Sequence, residues 1–106
     1  MPYLSADLKK DIALYCHEVD ALLIGDLVKN IEAGDAPYFV DEFAEAIRYR
    51  LLTPHVWGVL TETYLDHDDY EQTDEDLRYV WSQVAPGKPF PGGPQVPPIE
   101  PRRTRR

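Results

Sequence analysis

The sequence predicts an all-α fold: a small single-domain bundle of four short amphipathic helices, with a fifth left open, followed by an extended Pro/Arg-rich C-terminal arm. Apolar residues recur at three- and four-residue steps, which is the spacing of one helix face. Capping residues stand where these stripes begin, and no stretch alternates apolar and polar residues as a strand would. We therefore expect a helical domain over residues 1–85 and an arm over residues 86–106.

The first stripe predicts one long helix over residues 6–33. Ser5 is a suitable N-cap, and Asp7 stands in the first turn, where the helix dipole favours a negative charge. Gly25 weakens the helix by about 1 kcal/mol relative to alanine. The sequence leaves open a kink there or a break with a restart at Asp26. The stripe consists of Leu8, Ile12, Tyr15, Val19, Leu22, Leu23, Leu27 and Ile31.

The segment "GDAP" predicts the end of one helix and the start of the next. Gly34 can adopt the left-handed cap, Asp35 or Ala36 the N-cap position, and Pro37 the first turn. The second stripe then consists of Val40, Phe43, Ala44, Ile47 and Leu51.

Two further helices follow. Thr53 as N-cap and Pro54 in the first turn predict a third helix that ends near Leu65, with a stripe of Val56, Trp57, Leu60 and Tyr64. Thr73 as N-cap, with Asp76 in the capping-box position, predicts a fourth helix whose stripe is Leu77, Val80, Trp81 and Val84.

The aromatic residues divide into a predicted core set and a predicted contact set. Large side chains on the stripes are needed to close a core of this size, which places these residues inside: Tyr15, Phe43, Trp57, Tyr64 and Trp81. Residues that fall off the stripes or at their edges are more typical of a contact surface: Tyr38, Phe39, Tyr49, Tyr70 and Tyr79.

The charge is distributed unevenly along the chain. Residues 1–99 carry seven Lys/Arg against eighteen Asp/Glu, a net −11, whereas residues 100–106 carry a net +3. An acidic body repels nucleic acid and anionic lipid, which argues against both as its partners. The arginine tail alone would give weak, salt-sensitive contact with nucleic acid. The expected partner is another protein with a basic surface or an arm-binding groove, and a homo-oligomer is left open.

One candidate for partner binding is an acidic patch, defined by Glu62, Asp66, Asp68, Asp69, Tyr70 and Glu71. A calcium loop starting at Asp66 would need an oxygen ligand at Tyr70, a glycine at Glu71 and a glutamate at Leu77. The stretch does not fit an EF-hand, and we expect a solvated or partner-facing surface rather than a metal site. A second acidic group comprises Asp41, Glu42 and Glu45, and the sequence leaves open whether the two join in space.

The sequence carries no recognisable catalytic or cofactor motif, and we expect a non-enzymatic protein without cofactor or metal. Cys16 is the single cysteine and lies on the apolar stripe, which predicts a small buried residue rather than a reactive thiol. His17 and His55 have no nucleophile partner in any motif. The absence of an apolar leader or membrane-spanning run predicts a cytoplasmic protein, of a bacterium or a virus-infected cell, and leaves a place in a virion open.

The arm contains seven prolines and three glycines in the twenty-one residues 86–106, a composition that forms neither helix nor sheet. The predicted contact residues of the arm are Phe90, Ile99, Arg102, Arg103, Arg105 and Arg106. Two functions remain open. One is an adaptor or assembly subunit, of phage origin in one version, whose arm docks on a neighbouring subunit of a larger complex. The other is an acidic inhibitor, of the immunity, antitoxin or DNA-mimic kind, that blocks a basic active site or nucleic-acid groove.

Overall fold

The computed structural model describes residues 3–92, whereas residues 1–2 and 93–106 lie outside the described part. Between residues 3 and 92 the chain forms five α-helices and a 3₁₀ turn but no strand, which confirms the all-α prediction there. None of these helices is long and apolar enough to cross a membrane. The helices are α1 (Ala6–Tyr15), α2 (Ala21–Glu32), α3 (Phe39–Arg48), α4 (Pro54–Thr61) and α5 (Tyr70–Val84), and the 3₁₀ turn is His17–Val19.

The first predicted helix, residues 6–33, is two helices, and the break does not lie at Gly25. Glu18 and Val19 adopt left-handed backbone conformations, with φ of 54° and 51°. Because a right-handed helix cannot continue through such residues, α1 ends before them. Gly25 lies inside α2, which passes through it without interruption. Both the predicted kink at this glycine and the predicted restart at Asp26 are therefore wrong.

Asp20 starts the second of these helices. Its carboxylate accepts hydrogen bonds from the backbone N–H groups of Leu22 and Leu23, at 2.8 and 3.3 Å. This N-cap sets a new helical phase, so that Ile24 and Leu27 are buried, whereas Leu22, a member of the predicted stripe, is 82% exposed. The break thus changes which apolar residues reach the core.

The start of α3 also differs from the prediction. Gly34 adopts the predicted left-handed conformation, with φ of 83°. Neither Asp35 nor Ala36 caps the helix, because the N–H of Phe39 bonds to the carbonyl of Ala36 at 3.2 Å and closes a separate turn. The helix begins at Phe39, and Tyr38 occupies the N-cap position without a capping side-chain bond.

The start of α4 confirms the prediction, but its end does not. The Thr53 hydroxyl accepts a bond from the N–H of Val56 at 3.3 Å, with Pro54 as the first helical residue. The helix ends at Thr61 rather than near Leu65, because Glu62 adopts a left-handed conformation with φ of 60°.

The last helix starts earlier than predicted, at Tyr70. Its N-cap is Asp69, whose carboxylate accepts a bond from the N–H of Gln72 at 3.1 Å. Thr73, the predicted N-cap, is buried inside the helix, and its hydroxyl donates to the Asp69 carbonyl at 2.8 Å. The extra turn arises because Asp69 caps more effectively than a threonine and leaves Thr73 free to be buried.

Aromatic rings fill the centre of the core. Phe43 contacts Phe39, Trp57 and Trp81, with ring centroids 5.3, 6.4 and 6.3 Å apart. The predicted burial of Phe43 and of both tryptophans is confirmed. Phe39 was predicted to face a partner but is fully buried, and Tyr64 was predicted to lie in the core but is 69% exposed because it follows the end of α4.

One carboxylate lies in this apolar surrounding. Asp76, predicted for a capping box, is buried on α5. It accepts a hydrogen bond from the Trp57 indole N–H at 3.1 Å and another from the Gln72 side-chain amide at 2.8 Å. Buried charges require such partners, so Asp76 joins α4 to α5 instead of completing a cap.

Candidate protein-interaction site

The acidic patch lies at the connection between α4 and α5. Glu62 follows the last residue of α4, Asp66 and Asp68 lie in the loop, and Glu71 lies in the first turn of α5; all four are exposed. Asp69 is half-buried, and its carboxylate accepts the N-cap hydrogen bond of α5. The patch therefore presents four exposed carboxylates within ten residues of chain.

The beginning of this loop is held tightly against α4. The N–H groups of Thr63 and Tyr64 both bond to the Gly58 carbonyl at 3.0 Å, and the Thr61 and Thr63 hydroxyls are 2.9 Å apart. A Cβ atom at Gly58 would lie 2.6 Å from the backbone nitrogen of Leu65, so only glycine allows this approach. The chain enters the acidic patch along a fixed path.

A histidine lies beside the patch. The Nε2 atom of His17 is 3.4 Å from a Glu62 carboxylate oxygen, which connects the 3₁₀ turn to the end of α4. Four residues with left-handed backbone occur in these two neighbouring segments: Glu18, Val19, Glu62 and Tyr64. For Val19 this conformation is strained, because its side chain branches at Cβ.

The second acidic group meets α1. The Ser5 hydroxyl donates to Glu42 at 2.6 Å, and the Tyr38 hydroxyl donates to Asp11. This hydrogen bond to a carboxylate raises the pKa of Tyr38 to about 12, with added contributions from partial burial and the nearby negative charges of Asp11, Asp7 and Glu42. The contribution of α1 was not predicted, although Asp7 and Asp11 are four residues apart and hence on one helix face.

The single cysteine is buried and unreactive at neutral pH. Cys16 is fully buried, as predicted, and its burial, with a contribution from Asp11, raises the pKa of its thiol to about 12. At neutral pH it is therefore a protonated thiol and not the thiolate that acts as a nucleophile. Among residues 3–92, no group of three or more histidine, cysteine, aspartate or glutamate side chains is arranged to hold a metal ion.

The first part of the arm, residues 86–92, contacts the helical body, and we call it the arm base. The Trp81 indole N–H donates to the Lys88 carbonyl at 3.1 Å, and the N–H of Lys88 bonds to the Ala85 carbonyl at 3.1 Å. The Arg78 guanidinium lies 4.2 Å from the centre of the Phe90 ring, a cation–π contact, and Phe90 packs against the core. Phe90, a predicted partner contact, is thus half-buried on its own chain. The other predicted contact residues of the arm lie outside the described residues: Ile99, Arg102, Arg103, Arg105 and Arg106.

An open groove of about 400 Å³ lies between α3 and the arm base. Three charged side chains take part in its lining together with apolar ones, and the lining residues are Val40, Asp41, Ala44 and Arg48 of α3, Trp81 of α5, and Lys88, Pro89, Phe90 and Pro91 of the arm base. The sequence does not predict this groove, because it forms only when the proline-rich arm base folds against α5, and such a segment has no periodic pattern.

No protein-family model, curated protein or solved structure matches the chain. Its function therefore has to be inferred from the contacts and charges of its own residues.

Proposed function

We propose that the chain is a non-enzymatic protein-interaction protein, an adaptor or assembly subunit whose C-terminal arm docks on a neighbouring subunit of a larger complex. The observation that supports this function best is the anchored arm base. The arm base, residues 86–92, is held on the helical body through contacts of Lys88 and Phe90, and residues 93–106 follow it.

Anchoring the arm base favours docking for a thermodynamic reason. Binding by a flexible segment costs conformational free energy, and this cost falls when part of the segment is already held in place. Prolines restrict the backbone further, which is why proline-rich segments serve widely as ligands. The residues after Gly92 therefore begin from a fixed point and carry side chains suited to contact, including Ile99 and four terminal arginines.

The test is a binding experiment with the tagged chain in an extract of its native source. We expect the full chain to retain a stoichiometric partner and a chain ending at Gly92 to lose it. A variant with the four terminal arginines replaced by glutamine shows whether partner binding depends on the charge of the arm or on its apolar and proline residues. Retention of the partner by the chain ending at Gly92 would contradict the adaptor function.

The exposed acidic patch supports a second candidate function, the acidic inhibitor. Its four exposed carboxylates lie on a loop whose path is fixed by Gly58, which suits a surface that opposes a basic site. The test variant replaces the four exposed acids of the patch by their amides and keeps Asp69, the helix cap. A matched control replaces four exposed acids elsewhere, Asp7, Asp26, Glu32 and Asp35. Loss of partner binding in the patch variant alone would favour the inhibitor.

A further inference from the structure

The break between α1 and α2 has an unfavourable backbone. Glu18 and Val19 both adopt left-handed conformations, with φ of 54° and 51°. Any side chain crowds the backbone in this conformation, and a β-branched residue such as Val19 rarely occupies it. The five residues 16–20, "CHEVD", contain neither glycine nor proline, the two residue types that interrupt a helix most strongly. The break is therefore maintained by the packing of α1 and by the Asp20 cap, not by the residues at the turn.

The same residues suit a continuous helix. Apolar residues recur at three- and four-residue steps on both sides of the break and through it, at Ile12, Tyr15, Val19 and Leu23. A helix that ran through this segment would return Glu18 and Val19 to right-handed conformations and would lose the Asp20 cap. The change relieves two strained residues and gives up one cap.

The contacts of α1 define a site that a second copy also carries. The helix packs against α2, α3 and α4, and it buries Leu8 and Ile12. The Asn30 side-chain amide donates to the Tyr15 hydroxyl at 2.7 Å, which fixes the end of α1 against α2. If α1 and α2 straighten into one helix, α1 leaves this site. The equivalent site on another copy offers all the same contacts.

We propose that α1 is exchanged between two copies of the chain, with residues 6–32 forming one continuous helix in the resulting dimer. Each copy supplies one α1 and one vacated α1 site, which closes a two-fold dimer. A short connection under strain favours such an exchange, because opening the connection relieves the strain while the contacts of the exchanged helix form again. The exchange involves α1 alone and does not depend on the docking of the C-terminal arm.

Two exposed leucines flank the break. Leu14 is 53% exposed near the end of α1, and Leu22 is 82% exposed at the start of α2. In a continuous helix these residues are eight positions, or about two turns, apart and lie on the same side. The two opened connections of an exchanged dimer lie close to its two-fold axis. We expect the leucines of one copy to be covered there by the other copy.

Sedimentation equilibrium over a range of protein concentrations tests the exchange, with protein refolded from urea at high concentration. We expect the full chain to form a dimer. Replacing Glu18 and Val19 together by glycine relieves the strain of the monomer and weakens the continuous helix, so the dissociation constant of the dimer should rise about tenfold or more. Asp20→Ala removes the cap that only the monomer uses and should lower this constant about fivefold or more. Asp26→Ala, exposed inside α2, is the matched control and should leave it unchanged.

Isotope-filtered NMR identifies which copy supplies α1. Labelled and unlabelled chains are refolded together in an equimolar mixture. In one continuous helix Tyr15 and Asn30 lie about 22 Å apart at 1.5 Å per residue, so their contact persists only between copies. We expect nuclear Overhauser effects from the Tyr15 ring of one copy to the Asn30 side-chain amide of the other.

Two outcomes overturn the exchange. One is a full chain that stays monomeric at all concentrations, and the other is a dimer in which the contact between Tyr15 and Asn30 remains within each copy. The chain ending at Gly92 keeps α1 and should form the same dimer, even when it loses its partner in native extract. Failure of the proposed arm docking and failure of the helix exchange are therefore separate results.

Discussion

At the scale of single residues, the buried carboxylate of Asp76 gives the sharpest prediction about stability. Asp76→Ala leaves the Trp57 indole N–H, in the centre of the core, without its acceptor. An unsatisfied buried donor of this kind costs about 1–3 kcal/mol. We expect the free energy of unfolding, measured by urea titration with circular dichroism, to fall by that amount.

The matched control for this change is the adjacent residue. Glu75 is exposed on the same helix turn and accepts a hydrogen bond from the Gln72 side-chain amide at 3.3 Å. Glu75→Ala should change the free energy of unfolding by less than about 0.5 kcal/mol. Equal losses for the two variants would show that the Trp57 bond does not stabilise the core.

Tyr38 gives a prediction about alkaline pH. Its hydrogen bond to Asp11 raises its pKa from 10.0 to about 12, so the folded chain keeps this proton while the unfolded chain loses it. The stability that Tyr38 contributes is therefore fully present below pH 10 and is lost as the pH rises towards 12. We expect the free energy of unfolding to fall more steeply above pH 10 in the wild type than in Tyr38→Phe. Asp11→Asn should likewise make the free energy of unfolding fall less steeply with pH above pH 10. An equally steep fall in Tyr38→Phe and in the wild type would refute the role of this bond.

At the scale of helices, alanine substitutions at the two helical glycines should have opposite effects on the stability of the fold. A Cβ atom at Gly25 has no neighbour within 4 Å, whereas one at Gly58 lies 2.6 Å from the Leu65 backbone nitrogen. Gly25→Ala should therefore stabilise the fold by about 0.5–1 kcal/mol through helix propensity. Gly58→Ala should destabilise it by about 1–3 kcal/mol through overpacking.

Thermal and urea unfolding of the two glycine variants measure this difference. A kinked or broken helix at Gly25 would remove the gain expected from alanine, so an unchanged or lower stability of Gly25→Ala would contradict the continuous α2. Stabilisation by Gly58→Ala would contradict the close approach of the loop that precedes the acidic patch.

The sequence predicted which segments are helical better than it predicted which face of each helix is buried. On α3 the buried residues are Phe39, Phe43, Ala46 and Ile47, whereas the predicted stripe was Val40, Phe43, Ala44, Ile47 and Leu51. Both sets have helical spacing, and only packing against the other helices selects between them. The break after α1 was missed for a related reason: the left-handed conformations of Glu18 and Val19 belong to residue types that rarely adopt them.

At the scale of the whole molecule, charge and composition predicted the acidic body and the proline-rich arm. They did not predict the contacts between the arm base and the body. The exposed acids of the patch could be found because "DHDDYE" has no apolar residue to bury except part of Tyr70. The groove could not be found, because it depends on one bond from an indole to a backbone carbonyl and on one ring against a guanidinium. These contacts join residues only seven and twelve positions apart, but they follow no regular spacing that the sequence would show.

The last prediction concerns where the folded body ends. A chain ending at Gly92 keeps the arm base, whereas a chain ending at Ala85 loses Phe90 from the core surface and leaves the buried Trp81 indole N–H without the Lys88 carbonyl. At concentrations where the full chain is monomeric, we expect the first truncation to unfold at the same urea concentration as the full chain. The second should lose about 2–4 kcal/mol, from partial exposure of a phenyl ring and one unsatisfied donor. Phe90→Ala in the full chain should show the apolar part of this loss alone. Equal stability of the two truncations would instead place the end of the body at residue 85, as the composition of the sequence predicts, and would make the arm base a part of the free arm.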